Sequence, residues 1–140
     1  MILLTPDLRF ALRANDINRR AAARDEQPEP DPVPVLKLFN PVGAATWIVT
    51  ELYDDGDTLF GLADLGFGCP ELGVFSLSEI ASVRLPFGLG IERDLSFASI
   101  HSISAWTAAA RRAGSIQAAE QILRRTARPF DDELPPPENR

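Results

Sequence analysis

The chain has 140 residues, 45% hydrophobic and 24% charged, which is enough for one ordinary globular domain with its own core. It has one cysteine, Cys69, and one histidine, His101, which excludes an internal disulfide and leaves too few nitrogen and sulfur ligands for a usual zinc centre. The net charge of −6 is uneven: residues 1–34 carry −1, residues 101–140 carry +1, and residues 35–100 carry −6, with Lys37, Arg84 and Arg93 against nine acids. Such a central section repels a phosphate backbone, so direct nucleic-acid binding is not expected. No window is apolar for long enough to span a bilayer, and "MILLTPDLRF" lacks the basic start of a signal peptide, so no membrane association and a cytoplasmic location are expected.

In chain order, the first helix is expected from Thr5, with Thr5 as N-cap, Pro6 at the first helical position and Asp7 in the first turn. Leu4, Leu8, Ala11 and Leu12 make one apolar stripe, while Phe10, Ala14, Ile17 and Ala21 make another on nearly the opposite side. Two alternatives follow: a break near Asn15-Asp16, or a helix covered on both sides. "DEQPEPDPVP" at 25–34 reads as an extended, solvated connector, because alternate prolines forbid helix.

Strands are expected at "VLKLF" (35–39), "TWIVTELY" (46–53), "TLFGLADLG" (58–66) and "LGVFSL" (72–77), with "IERDLSF" (91–97) as a last strand or extended segment and "DDGD" (54–57) as a hairpin turn. The 58–66 segment is apolar on both faces except Asp64, which predicts a central strand. Ser76 and Glu79 stand three apart, the spacing of a capping box, and predict a short helix from Leu77 to Val83. Further on, Ile103, Trp106, Ala110 and Ala113 share a helical face, Gly114 is a C-cap, and Ile116, Ala119 and Leu123 line a second helix. The expected organisation is a helical segment at 1–24, a connector at 25–34, a β-rich core at 35–100, a helical pair at 101–128 and a mobile tail at 129–140. The fold class is α+β: a small, mainly antiparallel sheet of four or five strands, covered by the N-terminal helix and the C-terminal helical pair.

The blocks "TWIVTE" (46–51), "LFGLADLG" (59–66), "ELGVFSLSEIASVR" (71–84) and "PFGLGIERDLSF" (86–97), with "LLTPDLR" (3–9) at the start, carry a family resemblance in their order and spacing. The chain resembles a small bacterial family catalogued as a domain of unknown function, number two-nine-five-eight. The resemblance covers about two-thirds of the chain and leaves out the long connector and the helices after residue 101. It implies an accessory protein of plasmids, integrative elements and phages, encoded near genes for conjugation or for countering host defence. It brings no cofactor and no catalytic residue.

The residues themselves narrow the chemistry. A lone His101 in "SIHSIS" reads as a capping or solvent-facing group, and Cys69, between Gly68 and Pro70, as a buried or incidental thiol. No catalytic residue, metal site or cofactor is assigned. Asp54, Asp55 and Asp57 read as a solvated turn without the spacing of a calcium loop. The candidate binding residues are Glu51, Asp64, Glu71, Glu92, Arg93 and Asp94, with Arg93 expected to pair with Glu51, Asp64 or Glu79 if buried. Arg111, Arg112, Arg124, Arg125 and Arg128 read as solvated or acid-paired helix residues. Three functions fit. The first is a non-catalytic module presenting an acidic surface to a protein partner, such as a DNA-binding or defence protein. The second is a hydrolase or nucleotide-processing enzyme using carboxylates and a divalent metal. The third is an oligomerisation module acting through Ile103 and Trp106.

Overall fold

The computed structural model describes residues 1–126, so the expected tail at 129–140, residues 127–128 and Arg128 lie outside it. The elements run α1 (Pro6–Arg24), β1 (Leu36–Phe39), β2 (Thr46–Leu52), β3 (Thr58–Asp64), β4 (Glu71–Ser76), α2 (Leu77–Ser82), β5 (Glu92–Arg93), α3 (Ile103–Ala113) and α4 (Ile116–Thr126). A single 3₁₀ turn at Pro86–Gly88 stands between α2 and β5. The five strands form one antiparallel sheet in the order β4-β3-β2-β1-β5. The fold class is therefore α+β.

Alternation along the strands sorts their side chains into two cores. Leu36, Leu38, Trp47, Val49, Leu52 and Leu59 pack against Leu4 and Leu12 of the N-terminal segment and Ile80 of α2. Ile48 and Leu62 pack against Ile103, Trp106, Ala110, Ile116, Ala119 and Leu123 of the C-terminal helices. The sheet thus lies between helices on both faces. Every residue of β2 is buried, which makes it the central strand. The 58–66 segment, expected at the centre, is one place out. Its apolar character reflects cover from both layers, which the second and third positions of a sheet share.

Caps form largely where the sequence places them. Thr5 Oγ1 accepts from Leu8 N at 3.2 Å, and Gly114 takes the left-handed conformation (φ 88°) that closes α3. At α2, Ser76 Oγ accepts from Glu79 N at 3.1 Å, but the expected return bond from the Glu79 side chain is not made. Asp57 of the β2–β3 turn takes that place: its carboxylate accepts from Ser78 N and from Ser76 Oγ. Strand β5 is also shorter than the expected 91–97. Asp94 Oδ1 accepts from both Ser96 N and Ser96 Oγ, and this turn ends the pairing after Arg93.

Helix α1 is unbroken over 19 residues, which removes the first alternative, and it is not covered on both sides. Phe10 and Ile17 of the second stripe are 77% and 54% exposed. The inner face instead turns polar after Leu12, at Asn15, Asp16 and Arg19. The connector is extended and mostly exposed, yet its end is fixed: Asp31 accepts from Ser104 N and Ser104 Oγ, and Pro32 O accepts from Ile103 N. The strap therefore caps the start of α3.

Two measurements test this packing. A Cβ at Gly61 would sit 2.0 Å from Ile48 O, so Gly61→Ala should cost about 3 kcal/mol or more in denaturant unfolding, the upper end of overpacking effects. At the hairpin, Asp55 accepts from Thr58 Oγ1, Thr58 N and Asp57 N, and these bonds hold its pKa down to about 2 from 3.8. The folded value lies below the unfolded one, so the stabilisation is complete above about pH 4 and is lost as pH falls towards 2. The melting-point difference between wild type and Asp55→Ala should therefore be larger at pH 6 than at pH 2, read by circular dichroism.

Candidate functional site

Strand β1 begins at Leu36, opposite Val49, so the last residues of β2 run beyond their neighbour. The β2–β3 register also shifts between Val49 and Glu51, a bulge that re-aims the strand. The polar inner face of α1 satisfies the carbonyls this leaves open. Asn15 Nδ2 donates to Thr50 O at 2.9 Å, and an Arg13 guanidinium nitrogen donates to Leu52 O at 2.7 Å.

At the centre of this seam Asp16 is fully buried (0% exposed) and is ringed by three arginines. Arg13, Arg19 and Arg20 reach its carboxylate at 2.7, 3.1 and 3.0 Å. Burial pushes the Asp16 carboxyl up, and the hydrogen bonds and charges of Arg13 and Arg20 outweigh it, holding the group below its ordinary value. Arg19 also joins Glu51 at 2.8 Å, and Arg19 and Arg20 both lie over the Tyr53 ring at 5.5 Å.

Glu51 is 4% exposed and only half satisfied. Its Oε1 accepts from Arg19 Nε, while among the described residues Oε2 has no hydrogen-bond partner. Burial raises its pKa, and the Arg19 bond offsets that only in part. A buried carboxylate oxygen left without a partner costs on the order of 1–3 kcal/mol or more. The residue borders a cavity of about 280 Å³ beneath the strap at 29–32. Its walls are mainly apolar, formed by Pro30, Pro32, Phe60, Leu72 and Ile103, with Glu29 and Asp31 of the strap, Thr50 and Ser104 also lining it.

The same end of the sheet carries the hairpin acids. Asp54 is exposed, as is Glu79 at the start of α2. Asp55 and Asp57 bond only to backbone amides and to the hydroxyls of Thr58 and Ser76. Among the described residues Asp55 and Asp57 make no salt bridge, and Asp54 lies near enough to Arg20 to act on it.

The other candidates from the sequence are dispersed. Asp64 is buried and structural: Oδ2 accepts from Ile116 N and Oδ1 from Gly66 N, both at 2.9 Å, which holds the start of α4 against β3. Glu71 is exposed on the edge strand β4, and Glu92 is half-buried on β5. Arg93 makes none of the expected ion pairs. Residues 1–4 lie beside β5, and Arg93 donates to Ile2 O at 2.8 Å and Leu3 O at 3.3 Å. Asp94 sits 3.5 Å from Lys37, which also holds Glu120 of α4 at 2.7 Å. Among the described residues no three His, Cys, Asp or Glu side chains are placed to share a metal ion, so these carboxylates do not form the ligand set of the second reading.

Of three further groups, Cys69 and His101 fall within the expected readings, as an incidental thiol and a helix cap, and the Ile103–Trp106 pair differs. Cys69 is exposed, because its turn projects from the end of β3. His101 Nε2 donates to Leu123 O at 3.1 Å and ties the α3 start to α4. Ile103 and Trp106 are buried against the sheet of their own chain, so they do not present an intermolecular face. The sequence reading passed over Arg13, Asp16, Arg19 and Arg20, although their i, i+3 and i+4 spacing is the pattern of helix ion pairs.

Asp16→Ala should destabilise the protein by about 2–3 kcal/mol in urea unfolding. This is below the 3–5 kcal/mol typical of a broken buried pair, because the three arginine side chains are 27–48% exposed and can regain water.

No helix among the described residues is long and apolar enough to cross a membrane. No curated protein and no solved structure matches the chain. The family model described as Protein of unknown function (DUF2958) matches residues 3–117, through the connector and α3 that the sequence resemblance leaves out. By that match the chain belongs to the DUF2958 family.

Proposed function

We propose that the protein is a non-catalytic binding module whose acidic hairpin end docks a positively charged protein, as an accessory protein of a bacterial mobile element. The observation that carries the reading is the asymmetry of pairing at this end. Arg13, Arg19 and Arg20 of α1 are paired with Asp16 and Glu51, whereas among the described residues Asp54, Asp55, Asp57 and Glu79 make no salt bridge and only Asp54 lies near enough to Arg20 to act on it. Asp55 and Asp57, held by neutral donors, keep their full charge and a fixed position, and with the exposed Asp54 and Glu79 they create a negative field that speeds encounter with a basic surface. Proteins that grip DNA carry such surfaces, and mimicry of nucleic-acid charge is the form of interaction that this field favours. The mobile-element setting and a counter-defence role come from the family resemblance, and a cytoplasmic location is the expectation from the sequence pattern.

Affinity capture from a bacterial host, followed by binding of the purified partner, tests the reading. The partner should be basic, and its association rate should fall about tenfold or more between 50 and 300 mM salt, as exposed charges are screened. The double variant Asp54→Lys, Glu79→Lys should slow association by a similar factor at low salt while leaving the fold intact. A partner with no basic surface, or a rate indifferent to salt and to both substitutions, would overturn the reading.

A further inference from the structure

The cavity beside Glu51 has a built-in chemistry. One side is a buried carboxylate with a free oxygen, and the rest of the lining is mainly apolar, with Glu29, Asp31, Thr50 and Ser104 as its other polar groups. A neutral apolar ligand would leave that oxygen unpaired. A metal ion would find only this one buried carboxylate, and no three ligating side chains converge there. A cation on an aliphatic stem meets both demands, with the stem against Phe60, Leu72 and Ile103 and the charged head on Glu51 Oε2. The volume of about 280 Å³ lies just below the 300–1,000 Å³ of drug-sized sites and suits a single side chain.

Charge balance allows a second cation beside Arg19. Arg19 shares itself between Glu51 and Asp16, and Asp16 is also held by Arg13 and Arg20. Glu29 lies close enough to act on the Glu51 carboxylate, and Asp31 borders the same cavity. The surroundings of the free oxygen are therefore net acidic.

We propose that this cavity binds the charged end of a lysine or arginine side chain, with Glu51 as its counter-charge. The cation site stands on the cavity and Glu51 alone; that the side chain belongs to a protein partner rests on the function proposed above.

The test is a titration of the full chain followed by amide NMR. The probes are Nα-acetyl-lysine amide, Nα-acetyl-arginine amide, free agmatine and the uncharged isostere Nα-acetyl-norleucine amide. Saturable shifts at Thr50, Glu51, Phe60, Leu72 and Ile103 are expected with the charged probes, and binding about tenfold weaker or absent with norleucine. Glu51→Gln should weaken the charged probes about tenfold, the equivalent of about 1.4 kcal/mol. Leu72→Trp, which fills the cavity and leaves the Arg19–Glu51 pair alone, should abolish binding, and it decides the matter if Glu51→Gln fails to fold. Absence of saturable shifts, equal binding of norleucine, or charged-probe binding indifferent to the substitutions would overturn the proposal. Binding of agmatine without the two amino-acid amides would replace the side chain with a free amine and overturn the stated source. If the amides bind but no basic protein does, the site survives and the function above fails. If a basic protein binds wild type and Glu51→Gln equally, that function survives and the site fails.

Discussion

The buried carboxylate of Asp16 is the constraint around which one end of the molecule is built. An anion fully removed from water must be matched by charge and hydrogen bonds, and three arginines of the same helix supply them. Satisfying Asp16 fixes where Arg13 and Arg19 point. Arg13 then reaches the Leu52 carbonyl and Arg19 reaches Glu51, so the inner face of α1 is matched to the part of β2 that outruns β1. The bulge in β2 and the close approach at Gly61 shape the strand that meets it.

What this arrangement leaves over is as informative as what it satisfies. Arg13, Arg19 and Arg20 pair with Asp16 and Glu51, while Asp55 and Asp57 of the turn are anchored by amides and hydroxyls. Several other acids are structural. Asp64 secures α4, Asp31 secures α3, and Asp94 with Glu120 neutralises Lys37 beneath the C-terminal helices. An acidic composition spread evenly over a surface would favour solubility alone. Here four acids without a salt bridge among the described residues, Asp54, Asp55, Asp57 and Glu79, share one end with a cavity that carries a half-satisfied carboxylate, while Glu71 and Glu92 stand apart on β4 and β5.

Much of the fold was legible because it rests on local rules. Thr5-Pro6, Ser76, Gly114 and the Asp55-Gly56 turn mark element ends through caps and dihedral preferences that act within a few residues. The strands and the two C-terminal helices followed from hydrophobic spacing. That same signal failed at α1, where the buried face changes from leucine to Asn15, Asp16 and Arg19. A hydrophobic pattern assigns such residues to water, so Phe10 and Ile17 looked like a second buried stripe. The site was less legible because its parts come from three distant segments. Glu51 could be named from the sequence, but its meeting with Arg19 and with the strap at 29–32 depends on how the layers stack. Arg93 shows the limit from the other side: its partners are two backbone carbonyls near the N-terminus, which carry no sequence signal at all.

The central claim is that Asp16 and Glu51 act as one unit through the arginine they share. A double-mutant cycle of Asp16→Asn and Glu51→Gln, followed by urea unfolding, tests it most directly. Without Asp16, Arg19 is left to Glu51 alone, so the account predicts that Glu51→Gln costs about 1 kcal/mol more in the Asp16→Asn background than in wild type. Additivity within about 0.5 kcal/mol would show two independent contacts and contradict the account.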